Sequence, residues 1–192
     1  MRLSLLLFTV LIICGNLSAQ SDETIFSNSN LRITGAWGGP SVTFVRLGDN
    51  FSNLSGGFGG LEFNKAFFVG WSGRRLTNDR IDLGDDTAEL DFQFSGPLFG
   101  YAYRAYNAIH PRGSVLLGFG NYELDNRDDD RIVVIQPMVG VDINVFQWFR
   151  IGLEGGYQVT SGVSSAVPDF GNDALSGLLG SIRLQFGYSW GR

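Results

Sequence analysis

The last stretch of the chain, Leu178 to Trp190, alternates between apolar residues on one face and small or polar residues on the other. A period of two is the pleat of a β-strand. The apolar face changes from aliphatic residues to the aromatic Phe186, Tyr188 and Trp190 at the chain end. This gradient is typical of a lipid-facing band that ends in an interfacial aromatic girdle, and it predicts that these three residues belong to the C-terminal assembly strand of a membrane barrel.

Two preceding stretches repeat the pattern. From Val133 to Val145 and from Phe149 to Val159 the odd-numbered positions are mostly apolar, whereas the even-numbered positions carry Asp142, Arg150 and Glu154. Ionisable residues opposite an aliphatic face predict a transmembrane barrel that is apolar outside and polar inside.

Similar runs along the chain predict an all-β protein with eight strands. Each run is long enough to cross a bilayer, which takes ~9 to 11 residues of a tilted strand. The predicted strands span residues 31–47, 54–64, 66–76, 88–107, 112–124, 131–145, 149–161 and 177–190.

The connections between these strands alternate in length. The short ones are Asn64-Lys65, Asn107 to Pro111 and Phe146 to Trp148, and the longer or more polar ones span residues 48–53, 77–87, 125–130 and 162–176. Short periplasmic turns, longer outer loops and two periplasmic termini are typical of an outer-membrane barrel with an even strand number. We therefore predict an eight-stranded antiparallel up-and-down transmembrane β-barrel, closed by pairing of the first strand with the last.

Two predicted strands contain proline, which cannot donate a ladder hydrogen bond. At Gly39-Pro40 and at Ser95-Gly96-Pro97 we expect β-bulges. In the fourth strand an inserted residue would explain why the apolar positions change from even numbers to odd numbers across the proline.

The start of the chain resembles a secretory signal peptide. Arg2 is followed by an apolar run, Leu3 to Cys14, that is too short to span a membrane as a helix. We place cleavage after Ala19, so that residues 20–30 form a short periplasmic segment and residues 31–192 form the barrel domain. A lipoprotein that uses Cys14 is the alternative, but the two isoleucines before this cysteine are poor substitutes for small residues.

Removal of the signal peptide changes the composition in two ways. The sole cysteine, Cys14, is lost, which excludes disulfides and thiol chemistry in the mature chain. Loss of Arg2 reduces 14 basic residues to 13 against 19 acidic residues, a formal charge of −6. This balance argues against nucleic acid as a partner.

Taken together, residues 33 to 190 resemble the small bacterial outer-membrane β-barrel proteins of the eight-stranded, OmpA/OmpX-like type. The stretches Gly35 to Pro40, Gly60 to Lys65 and Phe149 to Gly152 are similar to those of uncharacterised outer-membrane barrel-domain proteins of the porin-family type. The resemblance implies location and fold, and it implies little about activity. One departure is that Gly191-Arg192 follows the terminal aromatic residue.

Candidate catalytic and metal-binding residues are few. His110 is the only histidine and lies in a predicted periplasmic turn, far from the outer rim where a barrel enzyme would need it. The acidic loop Asp125 to Asp130 lacks the glycine and glutamate of an EF-hand loop. The glycine-rich run at residues 56–60 has Glu62 where a dinucleotide motif needs glycine. We predict no enzyme activity, no metal site and no cofactor.

The predicted interior carries a set of charged residues that face inward by strand phase. Four arginines face three carboxylates, a near-balance that favours internal ion pairs in a barrel this narrow. We expect Asp142 to pair with Arg150, and Glu154 with Arg183, across neighbouring strands. The predicted lumen charge network comprises Glu62, Arg74, Arg104, Asp142, Arg150, Glu154 and Arg183.

Two functions remain open at this point. One is an envelope-structural protein, or one that interacts through its outer loops, with a polar and mostly plugged lumen. The other is a low-conductance, porin-like pore for small ions or solutes, for which the abundant glycine leaves room. The expected partners are outer-membrane lipid and, during insertion, the barrel-assembly machinery of a Gram-negative cell envelope.

Overall fold

The computed structural model describes residues 31–47, 50–77, 80–82, 87–124, 130–163, 172 and 175–190. Within this part of the chain no helix is long and apolar enough to cross a membrane. The predicted signal peptide, residues 20–30 and residues 125–129 of the acidic loop lie outside the described residues. The strands are β1 (Ile33–Leu47), β2 (Asn50–Phe63), β3 (Phe67–Leu76), β4 (Arg80–Asp82), β5 (Thr87–Ala102), β6 (Ile109–Leu124), β7 (Asp130–Phe146), β8 (Phe149–Ser161) and β9 (Gly177–Ser189).

Eight of these strands form one closed antiparallel barrel. Neighbours in sequence pair with each other, β3 pairs with β5, and β1 pairs with β9 from Gly35 opposite Ser189 to Val45 opposite Leu179. The short β4 pairs only with the start of β5 and lengthens that hairpin beyond the barrel. The predicted fold, an eight-stranded up-and-down barrel closed by its first and last strands, is confirmed.

The register of the ladders determines the shear of the barrel. A path that crosses every ladder through paired residues starts at Gly35 of β1 and returns to β1 at Val45, ten residues further along. Eight strands with this shear correspond to a strand tilt of ~35 to 45° and to an interior just wide enough for side chains. Two residues that pair across a ladder therefore lie at different heights along the barrel axis, offset by slightly more than one residue per ladder.

Most predicted strand ends agree with the structure, but the fourth predicted strand is too long. β5 ends at Ala102, and residues 103–108 form the turn that leads into β6 at Ile109. Arg104 has a φ of 53° in this turn, a left-handed conformation that a strand does not adopt. The aromatic residues of this turn continued the apolar pattern past the true end of the strand.

The predicted bulges at Gly39-Pro40 and at Ser95-Gly96-Pro97 were wrong. The β1–β9 ladder is interrupted at Pro40, and the β5–β6 ladder at Pro97, but the register is the same on both sides of each gap. Pro137 interrupts the β7–β8 ladder in the same way. Proline lacks a donor, so the ladder loses hydrogen bonds there without an inserted residue. The register shifts that do occur lie at the strand ends, between Ile33 and Gly35 and between Asn144 and Phe146.

The alternation of inward-facing and outward-facing residues in β5 also continues unchanged across Pro97. Phe92, Phe94 and Leu98 point inward and are buried, whereas Phe99 and Tyr101 point outward and are exposed. The inside of the barrel is mostly apolar in the half nearest the β1–β2 and β8–β9 connections, called the loop half, and polar in the half nearest the β2–β3 and β7–β8 turns. Apolar residues therefore occupy opposite faces of one regular strand, and a uniformly polar interior was the wrong expectation.

The outer surface has an apolar belt on every strand, because the alternation in β7, β8 and β9 points aliphatic residues outward. An aromatic cluster borders the belt at the end where the β7–β8 turn lies. There Phe149 lies 5.1 Å from Phe186 between ring centroids, and Trp148 stacks on Phe146 at 5.5 Å. Phe186, Tyr188 and Trp190 are all exposed on this surface. Aromatic girdles of this kind lie at the membrane interface.

A first prediction tests the belt by depth. Leu153 and Val159 point outward from the same strand, Leu153 near the middle of the belt and Val159 six residues nearer the outer loops. Leu153→Arg should lower the free energy of unfolding by about 2 to 4 kcal/mol, and Val159→Arg by about 0 to 1 kcal/mol. Urea titration in lipid vesicles measures both. Equal losses at the two depths would contradict a lipid-facing belt. Gln158 is not a suitable interior control, because it is fully buried and hydrogen-bonded.

Candidate functional site

The charged cluster in the half of the barrel nearest the β7–β8 turn is centred on Asp142 of β7. Its carboxylate accepts hydrogen bonds from Arg112 at 3.1 Å, from Arg183 at 3.3 Å and from Gln185 at 2.8 Å. Arg112 comes from β6, whereas Arg183 and Gln185 come from β9 on the other side. Asp142 is fully buried. One carboxylate therefore joins three strands across the interior.

Glu154 of β8 shares the same two arginines. Its Oε1 lies 3.1 Å from Arg183, 3.7 Å from Arg112 and 2.9 Å from the Ser114 hydroxyl, which donates to it. The predicted pair between Glu154 and Arg183 is present. Two carboxylates and two arginines thus form one network, in which each arginine contacts both acids.

The predicted pair between Asp142 and Arg150 was wrong, although Asp142 lies opposite Gly152 as expected. Arg150 lies nearer the β7–β8 turn and pairs with Glu62 of β2 at 2.9 Å. Its guanidinium carbon is 3.7 Å from the centre of the Trp37 ring. Cation–π contact and a carboxylate on the far side of the barrel hold Arg150 there, and Arg183 and Arg112 reach Asp142 instead.

Arg74 of β3 is the interior arginine that has no carboxylate within 4 Å among the described residues. Its guanidinium donates to Gln136 at 2.5 Å and contacts the sulfur of Met138 at 3.7 Å. Its Nε has no hydrogen-bond partner, and the side chain is buried. The described interior therefore holds four arginines, Arg74, Arg112, Arg150 and Arg183, against the three carboxylates of Glu62, Asp142 and Glu154.

The structure changes the predicted network at two arginines. Arg104 was predicted to face the lumen, but it lies exposed in the β5–β6 turn, where its guanidinium carbon is 5.2 Å from the centre of the Tyr103 ring. Arg112 takes its position in the network and was missed, because β6 was expected to begin only there. The alternation of His110, Arg112 and Ser114 with Pro111 and Gly113 was the signal that could have located it.

His110 is not in a turn but is a buried residue of β6. Its Nδ1 lies 3.1 Å from the Asn107 carbonyl oxygen, and its Nε2 lies 3.9 Å from Asp142. A hydrogen bond from Nδ1 to the carbonyl fixes the ring beside the charged network. The glycine-rich run at residues 56–60 is part of β2.

The loop half of the interior is mostly apolar, with Ser52 and Thr160 as buried polar members. Val45, Leu54, Phe92, Leu116 and Val134 have no exposed surface. A side chain beside a water-sized passage would expose area to it, so no such passage touches these residues. Below them Gln136 and Gln158 are also fully buried and bond to each other at 2.6 Å.

Leu175 of the β8–β9 connection is fully buried beside these residues. Its carbonyl oxygen accepts hydrogen bonds from Gln158 and from Thr160, both at 2.7 Å. Two interior side chains of β8 therefore bond to the connection that follows this strand. Among the described residues no group of three or more His, Cys, Asp or Glu side chains could hold a metal ion.

Comparisons with known proteins agree with this architecture. No protein-family profile and no curated protein sequence matches the chain. The crystal structure of Neisserial surface protein A aligns with a TM-score of 0.54 at 11% identity and covers 83% of this chain and 99% of that one. Ail, the attachment invasion locus protein of Yersinia pestis, aligns with a TM-score of 0.50 at 15% identity and covers 83% of this chain and 100% of that one. The chain therefore has the fold of the small eight-stranded outer-membrane barrels, as the sequence resemblance implied.

A second prediction concerns the charge network. Glu154→Gln leaves Arg112 and Arg183 with Asp142 as their only carboxylate, so it should lower the free energy of unfolding by about 3 to 5 kcal/mol. Arg74→Met removes an arginine that has no carboxylate within 4 Å among the described residues and leaves the buried Gln136 Oε1 without this donor, so it should cost about 1 to 3 kcal/mol, less than Glu154→Gln. Urea titration in lipid vesicles measures both, with Asp128→Asn in the acidic loop as the control.

The comparison can fail in two ways. A greater loss from Arg74→Met than from Glu154→Gln would mean that the surplus arginine, and not the shared carboxylate, stabilises the interior. A greater loss from the loop variant would contradict a stabilising role for the interior charges.

Proposed function

We propose that this protein is an integral outer-membrane barrel with a closed lumen, acting through its outer loops or as an envelope-structural protein, and that it is not an enzyme. Both termini lie in the periplasm, and a signal peptide is cleaved after Ala19. Outer-membrane lipid surrounds the belt, and the barrel-assembly machinery recognises the strand that ends in Phe186, Tyr188 and Trp190. This orientation is supported by the two longest connections, residues 77–86 and 162–176, which lie at the end opposite the short β2–β3 and β7–β8 turns.

The closed sheet and its apolar belt support the membrane location. In lipid every backbone donor and acceptor must be paired within the protein, and a closed barrel meets this condition. The outward faces of β7, β8 and β9 present aliphatic side chains that water does not favour. Both features support a location within the lipid bilayer.

The observation that carries the closed lumen is the absence of exposed surface on interior side chains at two levels. Leu54, Phe92 and Leu116 fill the loop half, and Asp142, Gln185 and Arg183 fill the half nearest the β7–β8 turn. Opening a passage would require both the apolar contacts and the ion pairs to separate. Breaking a buried pair costs about 3 to 5 kcal/mol, so spontaneous opening is rare.

The outer connections support an interaction with a cationic partner. The stretches predicted as outer connections, residues 48–53, 77–87, 125–130 and 162–176, together contain eleven aspartates and two arginines. The structure places residues 50–53, 80–82, 87 and 130 of these stretches in strands. This excess of negative charge attracts a basic surface and repels a polyanion. The names of the structural neighbours, a surface protein and an attachment invasion locus protein, agree with activity at the cell surface.

A third prediction tests the lumen. The protein refolded into a planar bilayer should produce no regular current steps, because interior side chains of the described residues expose almost no surface to a passage at two levels. Liposomes that contain it should swell in a pentose solution no faster than protein-free liposomes. Regular steps that scale with the amount of folded barrel would instead establish the low-conductance pore.

A fourth prediction tests the loops. Vesicles that carry the protein should bind a poly-lysine surface at about 0.01 M salt and release it at about 1 M salt, over which the screening length falls from about 30 to about 3 Å. Changing Asp125, Asp128, Asp129 and Asp130 to Asn should weaken this binding. Glu62→Gln, inside the barrel, is the matched control and should leave the binding unchanged. Equal binding by the loop variant and the wild type would contradict the proposal.

A further inference from the structure

The outer wall of the barrel has an apolar groove of about 550 Å³ near the middle of the belt. Gly113 of β6 forms its floor. Phe99 and Tyr101 of β5 stand on one side, and Pro137 and Val139 of β7 stand on the other. The groove exists because a residue without a side chain lies between two strands that present large ones.

A second depression of about 440 Å³, the polar notch, lies at the loop end of the same wall. Gly73 of β3 forms its floor. Its lining includes Arg75 of β3, Gln93 and Ser95 of β5, and Asn121 of β6. A cation and two amides here offer donors to an anionic oxygen.

The notch reaches into the level of the apolar belt. Allowing for the shear, Ser95 and Arg75 lie at about the level of Ile135 of β7 and Val159 of β8, which are apolar and exposed. Polar residues thus descend lower on this sector than across the barrel. Val159 lies at the edge of the belt, so a polar wall at this level meets lipid headgroups and can hydrogen-bond to one of them.

The groove and the notch together have the length and polarity of one lipid. Both are lined by β5 and β6, and along β5 they extend from Tyr101 to Gln93. These eight steps of ~3.4 Å span about 27 Å, or about 20 Å along the barrel axis at a tilt of ~40°. One leaflet with its headgroups measures about 20 to 22 Å.

The two floor glycines are not required by packing inside the barrel. A Cβ added to Gly113 would meet only the Met138 carbonyl oxygen, at 3.9 Å, and one added to Gly73 would meet only the Ser95 Cβ, at 3.6 Å. Both are ordinary contact distances, so a side chain at either position is sterically allowed. Its effect would be to fill the depression.

We infer that this wall binds one phosphate-bearing lipid of the outer leaflet, with an acyl chain in the apolar groove and the phosphate in the polar notch beside Arg75. The inference rests on the membrane location proposed above. It adds a defined lipid site to a surface that otherwise meets lipid without selectivity.

The test uses the full mature chain, refolded into vesicles of phosphatidylcholine with a minority of phosphatidylglycerol and then extracted in a non-ionic detergent. Native mass spectrometry counts the phosphatidylglycerol retained by each barrel. Gly113→Leu should reduce retention at least about tenfold, the effect of losing about two methylene contacts. Arg75→Gln should reduce it several-fold. Gly59→Leu is the matched control and should retain the lipid, because Gly59 also points outward and its Cβ would meet nothing within 4 Å.

Three further measurements establish whether the bound phosphate belongs to a lipid, and whether a lipid or a second barrel occupies the groove. Phosphatidylglycerol should be retained over uncharged diacylglycerol, and inorganic phosphate should not displace it. Equal retention by Gly113→Leu and the wild type, displacement by phosphate alone, or lipid-free pairs of barrels would each overturn the inference. Failure of the wild type to shift its gel mobility on heating, or to resist protease in vesicles, would instead reject the membrane barrel itself.

Discussion

The structure depends on the closure of the sheet between β1 and β9. A strand edge left open in lipid would expose backbone groups at several kcal/mol each, so the first and last strands must meet. They meet with a register displaced by ten residues, and this shear sets the strand tilt and the width of the interior. The size of the interior then determines which side chains can occupy it. Most other features of the molecule follow from that width.

The narrow interior is stabilised differently in its two halves. In the half nearest the β7–β8 turn, Asp142 and Glu154 share Arg112 and Arg183 across three neighbouring ladders, and Glu62 holds Arg150 against Trp37. In the other half, apolar side chains such as Val45, Leu54 and Phe92 form a buried cluster. Removing one carboxylate would leave a buried arginine without its full compensating charge, which is costly. Asp142 and Glu154 each neutralise arginines from two strands, and Glu62 pairs with Arg150 from a distant strand. The apolar half needs no such matching, since dispersion and burial do not depend on direction.

In the proposed function, both interactions take place on the outer surface of a barrel whose lumen is closed. The acidic outer connections are suited to a basic partner, and the two depressions along β5 and β6 are suited to one lipid. Neither surface needs the interior to open. The barrel therefore positions the loops and the lipid-facing wall. Its stability comes from interior contacts that take no part in either interaction.

The sequence by itself determined the strand number, most strand ends and which residues face outward on β7, β8 and β9, because a period of two is a local property of the chain. It also located six of the seven interior charges, whose alternation with apolar neighbours is equally local. Tertiary structure alone decided the partners. Arg150 meets Glu62 rather than Asp142, and Arg112 enters the network from β6, because the shear brings together residues that are far apart in sequence. It also decided that the loop half is mostly apolar, since Phe92 and Phe99 look alike in sequence and differ only in the side of the wall to which each residue points.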